Sequence, residues 1–223
     1  MNKKKILIPG WSTGDQSWGV TKPYLDYFSQ FGQVEILTPR KGIENGDLLV
    51  LPGGMDQSPK DYGEVPGFYT GNTDVYKDYF FHKNLPQYID NKTPIFGICL
   101  GMQQICTYFG SKLTQNMYHE TSGHRTELTH HVKPVVGYNK EEGYLFNPAK
   151  NAGFKVNSLH HQAVHQFHLA DSLEALYIDE DGWYVEMVRH RTLPIYGIQW
   201  HEEEIQCNNV VKQTIKQLLN EQL

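Results

Sequence analysis

The stretch Pro94-Ile95-Phe96-Gly97-Ile98-Cys99-Leu100-Gly101-Met102-Gln103 decides how this chain folds. Ile95 to Ile98 is a short apolar run of the kind that fills a strand buried on both faces. It passes without a spacer into a helix-like segment, Leu100 to Phe109. A strand that turns sharply into a helix lifts the residue at the turn to the top of a sheet, and that residue is a cysteine. Gly97 and Gly101 flank it, as the tight packing around such a turn requires. A thiol at a helix N-terminus also feels the positive end of the helix dipole, which favours the nucleophilic thiolate.

Outward from this turn, strand-like and helix-like segments alternate, which points to an α/β architecture with a mainly parallel sheet and helices on its faces. Ile6 to Ile8, Val34 to Leu37 and Asp47 to Leu51 read as strands, with helices over Tyr24 to Phe31 and Asp74 to Ile89. The second half carries shorter strand candidates: Val132 to Val136, Phe154 to Ser158, Leu173 to Ile178, Tyr184 to Val188 and Ile195 to Gln199. Val210 to Leu219 has apolar residues at helical spacing and closes the chain against the sheet. Gln57 to Thr73, rich in Pro, Gly and Tyr, is a long loop of the kind that often carries function. With no repeat and no interdomain linker, residues 1–223 are expected to form a single domain, a size that suits one sizeable core.

Composition removes several function classes. A formal net charge of -5 argues against a nucleic-acid partner. No stretch approaches the length of a membrane span, and Pro9-Gly10 ends the first apolar run too early for a signal peptide. The three cysteines, Cys99, Cys106 and Cys207, are odd in number and irregular in spacing, which fits reduced thiols in the cytoplasm.

Thiol attack on an amide needs a base to manage protons and a group to orient that base. Gly197-Ile198-Gln199-Trp200-His201-Glu202-Glu203 supplies both. A strand-like run ends at His201, and Glu203 can reach back to one imidazole nitrogen while the other faces Cys99. Leu51-Pro52-Gly53-Gly54 follows the third strand, and adjacent glycines let backbone approach a substrate closely. Backbone N–H groups in such a place can stabilise the oxyanion of an acyl-transfer step.

These three motifs, in this order, resemble those of the class I glutamine amidotransferases. Leu51-Pro-Gly-Gly-Met-Asp56 running on to Pro59 and Tyr62-Gly63-Glu64, then His124-Arg125, Val156 to Ala163 and Asp181-Gly182-Trp183, look like the γ-glutamyl hydrolase-like branch, the γ-glutamyl-γ-aminobutyrate hydrolase type. The similarity spans nearly the whole chain, most weakly its first forty residues. It implies a flavodoxin-like three-layer sandwich with a small antiparallel addition. It also implies Cys99 as nucleophile, His201 as general base and acid, Glu203 as its orienting group, and the N–H groups of Gly54 and Leu100 as oxyanion hole. Gln103 would hold the amino-acid end of the substrate, and a strand segment around His161, Gln162 and Ala163 would close the γ-glutamyl pocket beside Gly53. No metal or organic cofactor is implied.

Three readings of function follow. One is a stand-alone hydrolase that cleaves the γ-glutamyl amide bond of a small conjugate through a thioester. The other is a glutaminase subunit that passes ammonia to a separate synthetase chain. A non-catalytic binding protein on the same fold is a third, which the intact Cys-His-Glu set opposes. The family usually has proline between the catalytic His and Glu; Glu202 stands there in this chain and is expected to point to solvent. Of eleven histidines, the adjacent pairs His130-His131 and His160-His161 would face opposite ways on a strand and match no zinc motif. Tyr76, Tyr79 and Phe80 read as core packing, and Cys106 and Cys207 as inert packing. His124-Arg125 suits either a substrate carboxylate or a solvated turn.

Overall fold

The computed structural model describes residues 3–14, 17–39, 42–117, 129–135, 153–206 and 209–220. In chain order the strands are β1 (Lys5–Pro9), β2 (Trp11–Gly14), β3 (Ser17–Gly19), β4 (Gln33–Leu37), β5 (Leu48–Leu51), β6 (Ile95–Ile98), β7 (Leu113–Thr114), β8 (Thr129–Pro134), β9 (Phe154–Asn157), β10 (Ala163–Val164), β11 (Leu173–Asp179), β12 (Val185–His190) and β13 (Ile195–Ile198). The helices are α1 (Lys22–Phe28), α2 (Val75–Tyr79), α3 (Leu85–Asp90), α4 (Leu100–Tyr108), α5 (Glu202–Ile205) and α6 (Asn209–Asn220).

Unbroken apolar runs belong on strands covered on both faces, and β5, β6 and β13 are buried at every residue. They lie side by side in a nine-stranded sheet ordered β4-β1-β5-β6-β13-β12-β11-β8-β9. The first five strands are mutually parallel, and the remaining four extend the sheet antiparallel. Alternation along β1 divides the core. Ile6 and Ile8 join Tyr27 and Phe28 of α1 and Val211 and Ile215 of α6 on one face. Leu7 joins Phe81, Leu85 of α3 and Ile105 of α4 on the other. This is the expected flavodoxin-like three-layer sandwich.

Three local departures have physical causes. The helix expected over Asp74 to Ile89 begins as α2, capped by the Asp74 carboxylate on the N–H groups of Tyr76 and Lys77. It then widens into a π turn over Phe80–Asn84 before α3. Pro86 has no N–H to give to the preceding turn, and the wider turn accommodates that loss. The α1 helix starts earlier than expected, at Lys22, because Pro23 presets the helical φ of its first turn. The β2–β3 hairpin has no periodic signal in the sequence at all; its Trp18 ring packs edge-on against Tyr76 at 4.6 Å.

Candidate active site

Open parallel sheets present ligand sites beyond the C-terminal ends of their strands. Here three neighbouring strands, β5, β6 and β13, end in the three motifs of the sequence. Gly53 and Gly54 follow β5, Cys99 follows β6, and His201 follows β13.

Cys99 has φ 52° and ψ −108°, a left-handed conformation unusual for a side chain with a Cβ. Its N–H donates to the Ile198 carbonyl at 2.8 Å, and its own carbonyl accepts the N–H of Gln103. The turn is this tight because Gly101 has no side chain: a Cβ there would lie 2.1 Å from the Leu51 carbonyl oxygen. The flanking glycines therefore do what the sequence reading required of them.

His201 Nδ1 lies 2.6 Å from Glu203 Oε1, and Cys99 stands near enough to the ring to favour its protonated form. Burial of the ring opposes its charge. Cys99, Glu203 and their negative charges outweigh that and push the imidazole up to about 10. The backbone of His201 is held as firmly as its ring. Asn157 accepts its N–H at 2.8 Å and donates to its carbonyl at 3.1 Å. Asn157 belonged to a quoted motif but carried no role in the sequence reading.

Glu202 does not point to solvent. It is fully buried, and its carboxylate accepts the indole N–H of the buried Trp200 at 3.0 Å. A buried carboxylate must be hydrogen-bonded, and the Trp200 two residues earlier was the available signal.

The opposite wall is Gly53-Gly54. A Cβ on Gly53 would meet the His201 ring at 2.6 Å, so this glycine is required by the imidazole itself. The Gly53 N–H donates to the Tyr24 hydroxyl at 2.8 Å, and burial together with the nearby Glu203 charge holds that phenol well above its ordinary range. The Gly53 carbonyl accepts the ammonium of Lys77. Lys77 is almost entirely buried, with its nitrogen 4.8 Å from the centre of the Trp11 ring. Burial pushes it down to about 8, although Asp74 and Cys99 pull the other way. Sequence reasoning missed Lys77, Tyr24 and Trp11, because each reaches the site from an otherwise ordinary segment. A Cβ on Gly54 would lie 3.0 Å from Leu100 Cδ2, so the Leu100 side chain packs against this glycine.

Gln103 is buried, and its amide nitrogen donates to the Gln162 carbonyl at 2.9 Å and to Gln199 Oε1 at 3.2 Å. Its carbonyl oxygen is thus what it can offer a ligand. His161 and Gln162 sit in the turn before β10, not on a strand; only Ala163 is in one. That turn is tied to the β5 motif by His161 Nε2 to Asp56 Oδ1 at 2.7 Å and by Gln57 N–H to Gln162 Oε1 at 3.0 Å.

Elsewhere, Cys106 is fully buried and burial pushes its thiol well up, as inert packing would be. Tyr76 and Phe80 are core residues, but Tyr79 is half exposed. His130 pairs with Glu186 at 3.1 Å while its neighbour His131 is exposed. Among the described residues no cluster of His, Cys, Asp or Glu is placed to hold a metal, and no helix is long and apolar enough to cross a membrane. His124, Arg125 and Cys207 lie outside the described residues.

The chain is similar to known proteins over most of its length. The model of the peptidase C26 family matches residues 33–203. Protein YvdE of Lactococcus lactis, described as glutamine amidotransferase-like, is 31% identical over 81% of this chain and 78% of its own length. The gamma-glutamyl-CDP-amidate hydrolase of Campylobacter jejuni is 27% identical over 73% of this chain and 65% of its own. The crystal structure of a glutamine amidotransferase from Thermotoga maritima superposes with a TM-score of 0.61 at 16% identity, covering 100% of this chain and 85% of that one.

Proposed function

We propose that this chain, which belongs to the peptidase C26 family, is a cytoplasmic cysteine hydrolase of γ-glutamyl amides that acts as one domain over residues 1–223. The observation that carries the reading is the joining of Cys99, at its left-handed turn, to a His201 ring that Glu203 holds from its far side at 2.6 Å. The similarity to a γ-glutamyl amide hydrolase supports the bond chosen.

In this reading Cys99 Sγ attacks the γ-carbonyl carbon of the bound glutamyl group. Negative charge gathers on the carbonyl oxygen, where the N–H groups of Gly54 and Leu100 receive it. The C–N bond then breaks, and His201 Nε2 gives its proton to the departing amine. Water, relieved of a proton by the now neutral His201, adds to the thioester and frees glutamate and Cys99. Glu203 keeps the ring in the orientation that serves both transfers.

Lys77 has a place in this scheme as a positioning residue. Among the described residues every peptide bond is trans, so the C=O of Gly53 and the N–H of Gly54 point in opposite directions from one plane. The ammonium on the Gly53 oxygen fixes that plane and polarises it, which makes the Gly54 N–H a stronger and correctly aimed donor.

The reading is tested by incubating the protein with the glutamine-derived electrophile 6-diazo-5-oxo-norleucine and mapping the adduct by peptide mass spectrometry. Modification at Cys99 is expected; modification at Cys106 or Cys207 contradicts it. A glutaminase subunit awaiting a synthetase would give the same label but no turnover of any conjugate in isolation.

A further inference from the structure

Just beyond β13, the consecutive residues Trp200, His201, Glu202 and Glu203 carry two interleaved side-chain pairs. Trp200 gives its indole N–H to the Glu202 carboxylate at 3.0 Å, and His201 Nδ1 meets Glu203 Oε1 at 2.6 Å. The first pair lies in the core. Trp200 and Glu202 are fully buried, and the Trp200 ring packs edge-on against Phe154 at 5.5 Å, which packs in turn on Tyr177 at 5.2 Å. The second pair is the candidate base with its orienting carboxylate. Glu202 is also the first residue of α5, a helix of only four residues. A helix that short does not hold itself, because one turn loses more conformational freedom than its few hydrogen bonds return. The turn closes through the Glu204 N–H on the His201 carbonyl at 3.2 Å and the Gln206 N–H on the Glu202 carbonyl at 2.8 Å.

Any change in the pitch of this turn swings the Glu203 carboxylate away from the imidazole. Asn157 grips the backbone of His201, but that grip ends at the His201 carbonyl. We infer that Glu202 is a positioning residue: anchored on the Trp200 indole, it fixes the first turn of α5 and so keeps Glu203 on His201. The inference rests on the γ-glutamyl hydrolase reading, in which that second pair manages the proton transfers. A proline, which the family usually has between these two residues, would preset the φ of the first helical position through its ring. Glu202 reaches the same end with a hydrogen bond to a buried donor, and a carboxylate taken off that donor inside the core would be left at high cost. It acts through geometry, since the charges that favour the protonated His201 are those of Cys99 and Glu203.

The test is an NMR titration of ring-labelled histidines in the whole protein, with the His201 signal assigned by its loss in His201→Gln. Glu202→Leu removes the acceptor at similar volume, and Trp200→Phe removes the donor but keeps an aromatic ring. Each is expected to lower the His201 midpoint by about one pH unit or more, as loosening an opposite charge from an ionised ring does. Glu202→Gln still accepts the indole N–H and should stay within about half a pH unit of wild type. A role in stability alone would lower the unfolding temperature of the Leu and Phe variants and leave every midpoint in place, which overturns the inference. A Gln midpoint as low as that of Leu also overturns it, because charge and not the hydrogen bond would then be the active feature. Should Glu202→Leu fail to fold, Trp200→Phe decides alone. Labelling of wild-type Cys99 by 6-diazo-5-oxo-norleucine separates the two levels. With the label in place, unmoved midpoints remove only the role of Glu202; without it, the hydrolase reading falls and this role falls with it.

Discussion

On one side of the site, Cys99 and His201 leave the ends of β6 and β13, parallel neighbours paired residue for residue from Ile95–Ile195 to Ile98–Ile198. On the other side, Gly53 and Gly54 are held by Tyr24 from α1 and Lys77 from α2, with Trp11 of β2 packed over the lysine. The first side is fixed by backbone: a sheet register and a turn that only glycines allow. The second is fixed by side chains converging from distant segments. Backbone-built geometry fails only when the fold fails, whereas a wall built from side chains can be retuned by a single substitution. In the proposed reaction the first side carries the chemistry, and the second sets how well the transition state is held.

The sharpest way to separate them is to remove the proposed nucleophile. Cys99→Ala should lower hydrolysis by about a thousandfold or more while leaving the unfolding temperature nearly unchanged, since bond-making cannot proceed without the thiol. Retained turnover would take Cys99 out of the mechanism. Glu203→Gln comes next, with a loss in kcat of about a hundredfold, because the ring loses its orientation and the partner for its charge but not its own chemistry. A loss equal to that of Cys99→Ala in a folded protein would give Glu203 a larger part than orientation.

Lys77→Met probes the side-chain wall, and about a tenfold fall in kcat with little change in KM is expected, the mark of an interaction realised in the transition state. It also predicts a pH signature. Lys77 is pushed down to about 8, chiefly by burial, so its charge is lost as pH rises past that value. The wild-type rate should decline between about pH 7 and 9, and the Lys77→Met profile should be flat there. A decline that survives in the variant would assign it to another group.

The smallest effect expected is on stability. His201 is raised from an ordinary 6.5 to about 10 when folded, by Cys99 and Glu203 against the cost of burial. A group raised on folding stabilises fully below its unfolded value and loses that contribution as pH climbs through its folded value. The unfolding temperature should therefore fall between about pH 6.5 and 10 by more in wild type than in His201→Gln. Parallel curves would contradict the assignment.

The same division governs what the sequence disclosed. Ile95 to Gln103 announces a strand, a turn and a helix in consecutive residues, and the spacing of His201 and Glu203 follows from one strand end, so both are legible locally. The expected parallel sheet follows from the buried runs at Leu48 to Leu51 and Ile195 to Ile198. Lys77 gives no such signal, because its partner Gly53 is 24 residues away and a lysine in an exposed-looking helix ordinarily faces water. Glu202 misled for the same reason: only the folded position of the Trp200 indole turns a surface-type residue into a buried acceptor. The β2–β3 hairpin is too short for any periodicity to register, yet it supplies Trp11 to the lysine and packs Trp18 against Tyr76.

In the proposed function Cys99 cleaves a γ-glutamyl amide bond in this chain acting alone. The most direct measurement is release of glutamate by the purified protein from glutamine and a panel of γ-glutamyl amines and peptides, with Cys99→Ala alongside. Turnover of at least one conjugate well above that of glutamine is expected, and its abolition in the variant. Amine release that persists without the thiol, or a silent panel from a protein whose Cys99 is labelled by 6-diazo-5-oxo-norleucine, would contradict it.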